Sequence, residues 1–175
     1  MHRLAAALLL LMPMSMSTVA VASDWTVGAV PGDGSDVTAA GTVSDEGHRL
    51  YLWSRHGSGR HQVIAELHLA EGTAFAGLMP VYRIDDGPLY DTDLIRRAGD
   101  ARGSLWGHVA EQVAFWLVWA STEDVVRPGD PLDAWLNGRR LQVSYRAADG
   151  TERTIDFSLE GSADPILAAT GIRRD

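Results

Sequence analysis

The densest group of side chains that could do chemistry is Asp85, Asp86, Asp91 and Asp93, four carboxylates within nine residues. Such a set can hold a divalent cation through oxygen, or supply an acid/base pair for hydrolysis. It lacks the alternating Asp-x-Asp-x-Asp-Gly spacing of a calcium loop, and Asp86-Gly87-Pro88 reads as a turn, so a solvated loop is expected. Arg83 and Asp85 fall on one face of a strand whose other face carries Tyr82 and Ile84. That guanidinium could clamp an anion, but an ordinary ion pair at the strand end is the expectation. His56, Ser58 and His61 crowd a Gly57-Ser58-Gly59-Arg60 turn. No Gly-x-Ser-x-Gly elbow surrounds Ser58, and a glycine-flanked hairpin tip holds a nucleophilic hydroxyl poorly. His56 and His61 could share one cation, yet two ligands are half of what zinc prefers, so both are expected to flank the turn as solvated residues. Trp53, Trp106, Trp116, Trp119 and Trp135 could line a ligand surface. Most belong in a core, with Trp53 and Trp106 the two expected to be partly exposed. No residue is assigned a catalytic, cofactor-binding or metal-ligating role on these grounds, and no cofactor is expected.

The elements that must position these groups are mostly strands, because apolar and polar residues alternate with period two between turn residues. Asp24 to Val30 reads as a strand ending at Pro31-Gly32-Asp33-Gly34. Arg49 to Arg55 and Gln62 to Leu69 form the clearest hairpin. Setting Arg55 opposite Gln62 puts Leu50 against Leu67 and Leu52 against Ala65 on one face. Trp53 with Ile64, Tyr51 with Glu66 and Arg49 with His68 then share the other, and His56 stands opposite His61. A slip by one residue would mix the two faces. Leu78 to Ile84 is a further strand, and residues 88–104 read as a long polar loop. Val113 to Ala120 is apolar on both faces and reads as a central covered strand, with Trp116 and Trp119 pointing to opposite sides. Pro131 to Asn137 carries helix signals: Asp130 as N-cap, Pro131 in the first turn and Gly138 as terminator. Arg140 to Arg146 and Thr151 to Leu159 make a second hairpin, with Leu141, Val143, Tyr145, Ile155, Phe157 and Leu159 inward. Ser162 to Ala169 reads as a closing helix.

The opening residues look like an export signal. Met1-His2-Arg3 is a short basic start, Leu4 to Met12 an apolar run broken by Pro13, and Ala20-Val21-Ala22 a small-x-small cleavage site before Ser23. Nine apolar residues are too few to cross a ~30 Å hydrocarbon core as a helix. The expected organisation is therefore a signal peptide, 1–22, and one exported β-rich domain, 23–175. The chain has no cysteine, so it can carry neither a disulfide nor an N-terminal lipid, and stability must come from packing. Its 15 basic residues, all arginine, face 23 acidic ones for a net charge of −8. That balance argues against nucleic acid and anionic lipid, and the lack of lysine excludes Schiff-base and P-loop lysine chemistry.

Several motifs also occur in a recognisable order. Trp25-Thr26-Val27 opens the first strand, and Met79-Pro80 leads through Tyr82-Arg83-Ile84 to Asp85-Asp86-Gly87. Leu136-Asn137-Gly138, Leu141-Gln142-Val143 and Phe157-Ser158-Leu159-Glu160-Gly161 follow. In this order the chain resembles the invasion-associated locus B family of small bacterial periplasmic proteins across most of the region after residue 22. The resemblance implies an envelope-associated β-sandwich and assigns no chemistry. Members of that family usually carry cysteines near the first and central strands; this chain has none, so no disulfide is carried over.

The expected fold is thus mainly β: a single antiparallel β-sandwich-like domain with one or two short helices near its C-terminal end. The expected role is non-enzymatic: a periplasmic or secreted protein that binds a protein partner in the envelope or outside the cell, without stable membrane insertion. A small-molecule or glycan-binding module using exposed aromatics is one alternative. A hydrolase using the Asp85–Asp93 region is the other.

Overall fold

The computed structural model describes residues 25–30, 37–92 and 107–175. The export segment 1–22, Asp93 and Trp106 lie outside the described residues. Six strands form one antiparallel sheet: β1 (Thr26–Ala29), β2 (Thr38–Val43), β3 (Arg49–Gly57), β4 (Arg60–His68), then β8 (Val113–Ser121) and β7 (Gly107–Val109), in that spatial order. A four-stranded antiparallel sheet runs β11 (Glu152–Ser158), β10 (Arg140–Arg146), β5 (Val81–Ile84) and β6 (Tyr90–Asp91). A short parallel pair joins β9 (Val125–Val126) to β12 (Arg173–Arg174), and two helices fully within the described residues are α1 (Pro131–Asn137) and α2 (Ala163–Thr170). The fold is mainly β and sandwich-like, as the alternation predicts.

The hairpin β3–β4 has the register the pattern dictates, from Arg49 opposite His68 to His56 opposite His61. Its turn is two residues, Ser58 and Gly59, both at positive φ (54° and 70°), the requirement of a type I′ hairpin. Between the sheets, Leu50, Leu52, Ala65, Leu67 and Trp116 meet Tyr82, Leu141, Val143, Tyr145, Ile155 and Phe157 in one core. Tyr82 organises it, stacking on Trp116 (centroids 5.8 Å) and Tyr90 (4.8 Å), with Trp135 of α1 edge-on at 5.5 Å. Burial pushes the Tyr82 phenol well above its ordinary range. Helix α2 closes the same side of the large sheet against β1, β2 and β3, and Ser54 Oγ donates to Thr170 O (3.0 Å).

Trp116 and Trp119 do not point to opposite faces. Trp116 pairs with Ala65 and Trp119 with Val63, two positions on the same face of β4, because the register shifts between Val63 and Ile64. The extra residue on β8 forms a bulge that turns Trp119 back toward the core, where its Nε1 donates to Asp130 Oδ2 (3.2 Å). Asp130 N-caps α1 only by position, since that carboxylate serves Trp119 and the Arg127 N–H instead. Gly138 ends α1 at φ −70° rather than in the left-handed region. Glycine is required for space: a Cβ there would lie 2.4 Å from Ile84 Cγ2 and 2.7 Å from Ala134 O.

Candidate functional site

The second sheet and both helices lie on one side of the six-stranded sheet, and its opposite face is lined by a separate apolar layer. Cross-strand pairing arranges that face in rows. Ala39, Trp53, Ile64 and Leu117 form one, and Gly41, Tyr51, Glu66, Phe115 and His108 the next. Val43, Arg49, His68 and Val113 form the third. Ala39 and Ile64 are buried, yet neither belongs to the core cluster; they sit in this outer layer. Trp53, Tyr51, Phe115, Leu117 and Val113 are half-buried around them, and Val43 is 58% exposed.

Polar contacts fix the rings. Trp53 Nε1 donates to Glu66 Oε2 (2.9 Å), and His68 Nε2 lies 2.7 Å from Glu66 Oε1. His68 meets Tyr51 edge-on, with centroids 5.3 Å apart. The Tyr51 ring in turn lies over Gly41, where a Cβ would come within 2.8 Å of Tyr51 Cδ1. Only glycine leaves room for that ring to lie down on the sheet. His108 leans on Phe115 at 5.6 Å. Both oxygens of Glu66 are therefore engaged within the layer, and the surface offers aromatic and aliphatic area in a fixed arrangement.

The carboxylate group is not brought together. Asp91 lies opposite Val81 and Asp85 follows Ile84, so the two sit at opposite ends of β5. Asp85 and Asp86 do share a shallow cleft of about 260 Å³ with Arg83, Arg140 and Gln142. Asp85 makes no ion pair with Arg83, contrary to the sequence expectation. Its carboxylate accepts the backbone N–H groups of Arg139 and Arg140 (2.9–3.2 Å), and it sits at φ 49° in the turn. Asp85 is thus engaged in holding the backbone of the β10 entry. Arg140 forks onto Asp156 with two 3.0 Å hydrogen bonds.

Ser58 is exposed at the hairpin tip. His61 is buried and His56 exposed, with ring centroids 4.4 Å apart, and His61 Nδ1 lies 2.7 Å from Asp124 Oδ1. Among the described residues no group of three or more His, Asp or Glu is placed to hold a metal ion. Of the tryptophans, Trp116, Trp119 and Trp135 are core and Trp53 is partly exposed. Sequence reasoning found Trp53 but missed Glu66, which the hairpin register already placed diagonal to it. Asp124 reaches His61 from a loop, and no sequence pattern signals that.

Fold and surface together define a β-sandwich-like protein whose larger sheet carries a ring-lined outer face. Set against models of known families, curated proteins and solved structures, the chain matches none of them.

Proposed function

We propose that this is an exported, non-enzymatic binding protein that engages a protein partner through the outer face of its six-stranded sheet. The observation that carries the reading is the second apolar layer, Trp53, Ile64 and Leu117 with Tyr51 and Phe115, lying apart from the core. Clustered aromatic side chains amid aliphatic ones are what protein interfaces use as anchors. A glycan face needs free donors and acceptors beside its rings, whereas Trp53 Nε1 and both Glu66 oxygens are already spent. The leader-like residues 1–22 and the resemblance to the invasion-associated locus B family support an envelope or extracellular setting. No helix among the described residues is long and apolar enough to cross a membrane.

A photo-reactive amino acid replacing Leu117 tests this, with Thr154 on the other sheet as the control position. The expected result is one protein adduct in the envelope fraction from position 117 and none from 154. The captured protein, purified, should bind wild type and bind Trp53→Ala or Phe115→Ala at least ~10-fold more weakly, a hot-spot-sized loss. Adducts to polysaccharide alone, or equal binding by the folded variants, would overturn it.

A further inference from the structure

At the end of the β3–β4 hairpin, His61 is 5% exposed and its two ring nitrogens have different fates. Nδ1 faces Asp124 Oδ1 at 2.7 Å, while Nε2 is buried with no hydrogen-bond partner among the described residues. A carboxylate oxygen accepts, so the proton belongs on Nδ1 and Nε2 is left as a bare lone pair. A buried acceptor without a donor is costly, and native structures rarely keep one that nothing fills. The ring is held on two sides: Trp119 meets it edge-on at 6.4 Å, and His56 lies against it at 4.4 Å. His56 is exposed and makes no hydrogen bond to the described residues.

We propose that His61 and His56 form a two-nitrogen site for a tetragonal divalent transition metal, copper(II) or nickel(II), with Asp124 as the positioning residue behind His61. A carboxylate behind a ligating histidine fixes its tautomer and orientation and raises its basicity. The 4.4 Å centroid separation brings both rings within reach of one ion, and among divalent first-row metals imidazole nitrogens hold copper(II) most tightly. With no third protein ligand assembled among the described residues, the remaining corners are open to water or an external donor. The site is independent of the outer sheet face, since the His56–His61 pair lies on the core-side register of the hairpin.

Copper(II) sulfate titrated into the full chain tests it. A His2→Ala background is used, because the terminal amine and imidazole of Met1-His2 chelate copper by themselves. One equivalent should bind with micromolar affinity, show hyperfine coupling to two nitrogens, and bind more tightly than zinc. His56→Ala should lose at least ~10-fold in affinity and one nitrogen, and Asp124→Asn about 10-fold with both nitrogens kept. His61→Ala risks misfolding, so the exposed His56 and Asp124 carry the decision. Binding no tighter than millimolar, a spectrum without two nitrogens, or unchanged affinity in His56→Ala each overturns the site; unchanged affinity in Asp124→Asn overturns the role of Asp124.

Discussion

Trp116 lies at the middle of β8 with no exposed surface, stacked on Tyr82 from the facing sheet. Truncation to alanine removes one of the largest side chains of the core and should cost ~3–5 kcal/mol. Trp53→Ala, in the outer layer, should cost about 1 kcal/mol, because that ring already meets water and neighbours relax around it. Urea melts of the two variants measure the difference, and equal losses would mean that the two layers share one core. Tyr82 sets a pH limit of its own. Burial raises its pKa above the ~10 of a free phenol. The neutral ring therefore supports the fold fully below pH ~10, and that support drains away as pH climbs further. Tyr82→Phe should flatten the fall in melting temperature above pH ~10, and a slope as steep as wild type would place the alkaline lability elsewhere, with Tyr145, whose phenol burial also raises, as the next residue to change.

At the scale of elements, the β3–β4 turn invites improvement. Ser58 holds φ 54°, a conformation that asparagine adopts more readily than serine. Ser58→Asn should raise stability by ~0.5 kcal/mol, read as a higher denaturation midpoint with an unchanged slope. A decrease would show that serine makes a compensating contact. The hairpin was legible in the sequence because setting Leu50 and Leu52 against Leu67 and Ala65 leaves one self-consistent register, the one the strands adopt. The β10–β11 hairpin was legible for the same reason, and all six of its inward residues are buried. β2 was not. Its Thr-Ala-Ala-Gly-Thr-Val sequence has low strand propensity. Its small residues exist to fit under neighbours, with Tyr51 laid over Gly41 and α2 on the other side. The bulge in β8 was hidden too, since period-two counting cannot see one inserted residue, and it changed which way Trp119 faces. The outer layer was half legible: the register placed Tyr51 and Trp53 on one face with Ile64, but Leu117 and Phe115 join them only once β8 is docked beside β4.

For the whole molecule, the absence of cysteine means that no disulfide ties the sheets together; packing and hydrogen bonds such as Trp25 Nε1 to Ser158 O (2.9 Å) hold them. Reducing agent should leave the melting temperature unchanged, as expected of a protein without cross-links. If residues 1–22 direct export, intact mass of protein recovered from the periplasm should begin at Ser23; full-length chain recovered from the inner membrane would refute the leader. The pairing of β12 with β9 bears on timing. Ile172 is buried, the Arg173 N–H donates to Asp124 O, the Arg174 guanidinium to Leu136 O, and the Asp175 N–H to Val126 O. These contacts reach back 38 residues to α1 and 49 residues to Asp124 and β9. A nascent chain emerges from its N-terminal side, so β9 has no strand beside it until residues 173 and 174 have left the ribosome, and this short parallel pair is among the last parts of the fold to close.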